Sequence, residues 1–438
     1  MKRKHSGKRF ILPFAVLVVC AAAFVSCGGD DLGDDPDGPD GPDGPGNGLI
    51  RSTIKMTKEQ DPGNKFDPLN RKPLRVVQTV WYEPEEDPRQ VIGYELTDGT
   101  AYFDHLVFLY GLRLRDRDCN LFPSDKCKES GLHACYGPNN MNVYLTEWQT
   151  YIRPVRDSGI KVLLSLVPAG NGVGVGNLFE STSWSDDDVK NYGPYPFGGE
   201  FAKKMIDNIA KLLLECQIDG IAFDEEYIGH WSPPGSKDQR TIATNTANII
   251  RFCYELQAAM DKLGGANREG TKHLGENGKL IFECYAYSPI TDKATFTSFD
   301  GKDVTVLRND IVNYIFNQSY GGWASPPSGF PRDRWGPVSV AIADVDGSSP
   351  RPAYRDIEQR MSDHLYGSYG VVMYYCLRSR DELKEGIPKW NKLPWTQNMF
   401  GPGNAGKPEA YFSIISNTLF GKATRYTGQD YPRRFQTQ

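Results

Sequence analysis

Asp224 and Glu226 stand two residues apart in IDGIAFDEEY, residues 218–227, where small or apolar residues alternate with carboxylates and stop at an aromatic. Read as a strand with period 2, Ala222, Asp224 and Glu226 share one face, while Ile221 and Phe223 take the other. Paired carboxylates are the residue types of acid–base chemistry. In an eight-stranded α/β barrel their face would be the interior, and the C-terminal end of the strand would carry the active site. The pattern equally describes a strand end bearing two solvated acids. The surrounding elements decide between these readings.

Eight short runs of apolar, β-branched or aromatic residues punctuate the chain: 74–81, 103–110, 160–167, 218–227, 280–287, 312–320, 338–344 and 371–377. Their hydrophobicity is continuous rather than alternating, as in parallel strands buried on both faces. Helical periodicity falls between several of them, over 146–157, 201–216, 241–263 and 353–366. In the second of these, Met205, Ile206, Ile209, Leu212 and Leu213 form one stripe. The expected fold is α/β, a (β/α)8 TIM barrel. Its outer helix ring is expected to be incomplete between the first and second strands and between the fifth and seventh, where helical periodicity is weak.

The first 26 residues read as a signal: basic MKRKHSGKR, then an apolar run broken by proline and too short to favour a permanent membrane span. Phe24-Val25-Ser26-Cys27 resembles a bacterial lipobox, with Cys27 the expected lipidation site and membrane anchor; a plain secretory signal is the alternative. Residues 27–50 are acidic, rich in Gly, Pro and Asp, and read as a solvated tether. Residues 51–438 then form the barrel domain with an N-terminal extension, and the expected location is an outer membrane or cell surface, with the periplasmic face open.

The net charge of −5, with no basic tract beyond the signal, argues against nucleic acid as a partner. Tyrosine (23) and tryptophan (8) are plentiful enough for sugar stacking, though a large core would also use them. Cys119, Cys127 and Cys135 cluster near His133 without a trusted metal spacing, so neither metal nor cofactor is assigned. The odd number of cysteines left after Cys20 and Cys27 leaves at least one thiol free.

DGIAFDEEY resembles the DGxDxDxE signature of glycoside hydrolase family 18, and is most similar to its endo-β-N-acetylglucosaminidase branch. Residues 150–178, 314–323 and 369–377 resemble that branch too, so the similarity runs from about 74 to 385. The resemblance implies a barrel with incomplete outer helices, and cleavage between the two core N-acetylglucosamines of N-linked glycans on a glycoprotein. It implies Glu226 as general acid and Asp224 as the group holding the substrate's own acetamido nucleophile. Two acids sharing a desolvated pocket would also keep Glu226 protonated near neutral pH.

The chain departs from the signature at Ala222, where the family has an aspartate facing the next one from deeper in the barrel. In the sixth run the amide and tyrosine that steady the acetamido group are either Gln318 with Tyr320, or Asn317 with a serine in the tyrosine's place. Cys376 stands where relatives often carry asparagine, and Tyr375 could line the pocket floor. Asn171, among the glycines of GNGVGVGN, permits close backbone approach to a sugar. Trp184, Tyr195, Trp231 and Trp323 are candidate stacking residues, each equally explained by local packing. His230, just past the motif, reads equally as a capping or packing residue or as a substrate contact, and Glu225, alternating outward, reads as structural. Two other readings stay open: a glycan-binding protein without turnover, motivated by Ala222, and a chitinase.

Overall fold

The computed structural model describes residues 76–82, 87–114, 132–133, 140–167, 175, 178–179, 199–224, 242–276, 278–286, 290–317, 323–341, 357–377 and 408–429. All lie in the compact unit Gly48–Gln438. The expected signal, Cys27, the tether and the cysteine cluster at 119–135 lie outside the described residues.

Among the described residues, seven continuous strands and one divided strand build the barrel, and the two-residue strand Leu132–His133 adds antiparallel to His105–Leu114. The barrel strands are β1 (Val77–Tyr82), β2 (His105–Leu114), β3 (Lys161–Val167), β4 (Gly220–Phe223), β5 (Ile281–Ala286), β6 (Tyr314–Asn317), β7 in two pieces (Trp335–Gly336 and Ser339–Ala341) and β8 (Val371–Leu377). Each pairs in parallel with the next in sequence, and β8 returns to β1 with Val77 opposite Val371. The first piece of β7 pairs β6 and the second pairs β8, so the divided strand closes the barrel. Pro337, which has no N–H to give a ladder, stands between the pieces.

Two apolar clusters mark the two faces. Val77, Trp81, Val107, Leu109, Leu163, Ala222, Ile281, Tyr285, Tyr314, Phe316, Val371 and Met373 recur at period 2 on successive strands and fill the interior. The intervening residues, among them Val80, Leu106, Leu164, Ile221, Phe282 and Ile315, belong to the outer cluster with the helices. Continuous hydrophobicity in the sequence reflects these two destinations.

Among the described residues the longer helices are α1 (Gly199–Glu215), α2 (Ile242–Gly264), α3 (Ile357–Tyr366) and α4 (Pro408–Phe420), with shorter ones at Asn140–Thr146 and Arg308–Ile311. On α1 the expected stripe is buried from Met205 to Leu213. The helix expected over 146–157 is instead two short ones, Trp148–Tyr151 and Arg153–Asp157. Pro154 cannot donate to the preceding turn, which interrupts the ladder there.

Where the periodicity was weak, the described residues contain no helix longer than the single turn Arg308–Ile311. A 3-10 turn (Pro88–Gly93) and a short strand (Tyr94–Leu96) follow β1. A hairpin, Lys293–Thr297 with Asp303–Leu307, follows β5, and a 3-10 turn, Arg332–Arg334, precedes β7. After α4 the chain adds Thr424–Tyr426 antiparallel to Tyr94–Leu96. Beneath this pairing Tyr94, Tyr102, Phe103, Tyr374 and Phe412 pack ring on ring, with Tyr102 and Tyr374 hydroxyls 2.6 Å apart. Among the described residues no helix is long and apolar enough to cross a membrane. Cys253 is a buried free thiol, and its burial raises its pKa well above the ordinary range.

His364 on α3 is wholly buried, and its Nε2 donates to the Val371 carbonyl at 2.8 Å. Burial pushes its pKa down to about 4 from the ordinary 6.5. Between those values the unfolded chain binds a proton that the folded protein refuses, so stability is lost as pH falls through that window. The loss should approach about 3 kcal/mol. Melting curves taken from neutral pH down to about 4 should show it, and His364→Gln, which keeps a donor for Val371, should flatten the decline. An unchanged slope in that variant would assign the acid sensitivity elsewhere.

Candidate active site

The motif strand is positioned from its N-terminal end. Asp219 is fully buried and accepts from Arg156 Nε (2.9 Å) and Nη2 (3.0 Å), from the Val162 N–H (3.0 Å) and from the Gly275 N–H (2.9 Å). One carboxylate thus joins the start of β3, the start of β4 and the turn before β5, at the end of the barrel opposite the site. Gly220 follows because no side chain fits: a Cβ there would lie 1.9 Å from the Ile281 carbonyl oxygen. The D-G pair therefore seats the strand at the end of the barrel away from Asp224.

Ala222 is buried in the interior cluster, while Ile221 and Phe223 belong to the outer one. The alternation carries Asp224 to the inner side, immediately past the C-terminal end of β4. Its N–H donates to the Leu166 carbonyl at 3.1 Å, and only 8% of the residue is exposed. A solvated acid at a strand end would be far more open. Glu226, two residues on, lies outside the described residues, as do Asn171, Trp184, Tyr195, Trp231, His230, Glu225, Gln318 and Tyr320.

Tyr375 sits at the same level on β8, opposite Trp81 in register and packed against the interior cluster. Trp81 in turn packs against Tyr285 on β5, ring centroids 5.6 Å apart. An aromatic floor from β1, β5 and β8 thus lies beneath the barrel mouth. The structure separates two other expected residues from it. Phe316 points inward, which leaves Asn317 on the outer alternation with Ile315, where its amide donates to the Pro337 carbonyl at 3.0 Å. Asn317 therefore links β6 to the break in β7. Trp323 is 39% exposed and stands edge-on to Tyr369, 5.5 Å away, just before β8 begins. That is the N-terminal end of the barrel, opposite Asp224, because the loop after β6 runs back down to start β7.

Three polar residues inside the barrel were not anticipated. Glu283, His105 and Thr79, from β5, β2 and β1, are fully buried, and the Glu283 carboxyl is hydrogen-bonded to both of the others. The signal was present as an acid in the middle of LIFECYAY and a histidine in FDHLVFLY, both on the inward alternation. Among the described residues no three His, Cys, Asp or Glu side chains group as a metal site.

No family model matches the chain. A stretch of 124 residues is 30% identical to endo-beta-N-acetylglucosaminidase F1 of Elizabethkingia meningoseptica. The similarity is local. It covers 28% of this chain and 30% of that relative, so the chain spans less than a third of the curated protein it matches. Bacteroides thetaiotamicron EndoBT-3987, solved with a Man5GlcNAc product, matches over 82% of this chain and 64% of its own, at 16% identity and TM-score 0.47. A family GH18 chitinase from Chromobacterium violaceum matches over 78% of this chain and 83% of its own, at 12% identity and TM-score 0.39. The barrel itself is established by its closed strand order.

Gly220→Ala should destabilise the domain by about 3 kcal/mol, since the added methyl meets backbone that cannot yield without moving β5. Urea denaturation measures this directly. A midpoint equal to that of the wild type would show that the β4–β5 approach is looser than described.

Proposed function

We propose that the chain is a glycoside hydrolase of endo-β-N-acetylglucosaminidase type, cleaving the N,N′-diacetylchitobiose core of N-linked glycans on glycoproteins. The observation that carries this reading is Asp224, buried on the inner side of the barrel at the C-terminal end of β4, inside DGIAFDEEY. The local similarity to endo-beta-N-acetylglucosaminidase F1 supports it.

The chemistry follows from the spacing of the acids. Residues two apart in an extended chain share one face at a spacing of about 6–7 Å, and that is the sequence spacing of Asp224 and Glu226. Glu226 protonates the glycosidic oxygen while the 2-acetamido oxygen of the substrate attacks C1, displacing the reducing-end part of the substrate and forming an oxazolinium intermediate. Asp224 holds the acetamido N–H and offsets the positive charge that develops on that group. Glu226, now ionised, takes a proton from water, which opens the intermediate at C1 with net retention. Gln318 and Tyr320 steady the acetamido carbonyl, and Asn171 and Tyr375 line the sugar site. Cys27 would carry a lipid anchor holding the domain at a bacterial outer membrane or cell surface.

Ala222 favours a second reading, a glycan-binding protein without turnover, because its methyl cannot replace a carboxyl group facing Asp224. Incubation of the purified chain with high-mannose, hybrid and complex glycoproteins, followed by mass spectrometry of released glycans, separates the two. Release is expected, with Glu226→Gln lowering it about 10²–10⁴-fold and Asp224→Asn also impairing it. Saturable binding with no released glycan of any type would establish the second reading instead.

A further inference from the structure

Among the described residues the barrel interior contains a buried acid that the proposed reaction leaves unused. Glu283 is fully buried on β5; one carboxyl oxygen lies 2.5 Å from His105 Nδ1 on β2, and the other accepts from Thr79 Oγ1 on β1 at 3.1 Å. His105 Nε2 is also buried, with no hydrogen-bond partner among the described residues. Removing a carboxylate from water costs several kcal/mol even after relaxation, and a buried pair is seldom worth more than well-packed apolar side chains of the same volume. A barrel filled for stability alone would continue through this layer as it does at Val107 and Leu163.

The position of Glu283 suggests what it does. It is the register partner of Ala222 on the neighbouring strand, so the two residues point inward at one level. Asp224 is the next inward residue on β4, about 6.6 Å further along the strand. The small side chain at position 222 leaves the longer Glu283 room to cross towards β1 and β2, where its two partners fix it.

We propose that Glu283 is a positioning residue for Asp224: the carboxyl group beneath the catalytic acids is supplied by β5 rather than β4, and His105 and Thr79 hold it in place. This role rests on the glycosidase reading above. A hydrogen lies in the 2.5 Å contact, whether on Nδ1 or on the carboxyl. The oxygens of Glu283 repel an Asp224 carboxylate that turns down into the barrel and favour the orientation towards the mouth. In a weakly screened interior such repulsion acts across one level of the barrel. Asp224 is then already aimed at the acetamido group when charge develops there.

Steady-state release from a defined glycoprotein, measured beside thermal melting, tests this with Glu283→Gln, Ala222→Asp and the two combined. Glu283→Gln keeps the shape and the Thr79 contact but replaces one carboxyl oxygen with an amide NH2. It should lower kcat about 100-fold with KM within about threefold. Adding Ala222→Asp in that background should bring kcat to within about tenfold of the wild type, while Ala222→Asp alone gives no gain. A Glu283 that merely supports the barrel would lower the melting temperature and leave kcat per folded molecule unchanged, or would lose kcat that Ala222→Asp does not restore; either result overturns the proposal. Should Glu283→Gln fail to fold, the exchanged variant Ala222→Asp/Glu283→Ala decides: kcat within about tenfold of wild type supports the role, and a larger loss with unchanged melting refutes it. A wild-type chain that releases nothing overturns the proposed function and this role together, whereas an active wild type matched by Glu283→Gln overturns this role alone.

Discussion

A closed barrel has no edge, so every inward side chain must share one enclosed volume with residues from strands far away in sequence. That constraint orders the whole structure. It requires the period-2 separation of an inner from an outer cluster, and it forces the seventh strand to serve both neighbours although Pro337 divides it. It also brings Glu283 on β5 against Thr79 and His105, register partners on the neighbouring strands β1 and β2 across the barrel. Asp224 is buried by the same closure, since its alternation on β4 leads to the mouth of that volume.

The two ends of β4 have separate tasks. At the N-terminal end Asp219 and Gly220 seat the strand, one by gathering the donors of Arg156, Val162 and Gly275, the other by having no side chain to obstruct β5. At the C-terminal end Asp224 faces the interior, its N–H held by the Leu166 carbonyl on β3. Four residues of strand thus convert a fixed base into a fixed direction for the acid, and the rigidity a site needs comes from the opposite end of the barrel.

Much of this was legible in the sequence. The eight strands were, because each is a compact apolar run bounded by polar residues, and their inward alternation followed from period 2. The scarcity of helix after β1 and between β5 and β7, among the described residues, was legible as missing periodicity. The helix over 146–157 broke at Pro154, a local signal outweighed by the surrounding pattern. Trp323 was harder: a loop residue after a strand is expected at the mouth, and only the return of the chain to Trp335 reveals that it has already descended. Asn317 looked like a site amide because two adjacent amides leave the register open until Phe316 is known to point inward. Glu283 and His105 were visible as polar residues in apolar strands, but their pairing depends on which strands face each other across the interior, which no local pattern encodes.

The contact between β1 and β8 also bears on how the molecule comes into being. The strand that opens the barrel finds one of its two neighbours only after nearly all of the remaining strands have been made, and the antiparallel pairing of Tyr94–Leu96 with Thr424–Tyr426 repeats that dependence at the outer layer. Closure therefore carries a large loop entropy and comes late, with the parallel strands assembled before it waiting as an open sheet. An emerging chain spends that interval with two unpaired edges, the state most exposed to association with other chains.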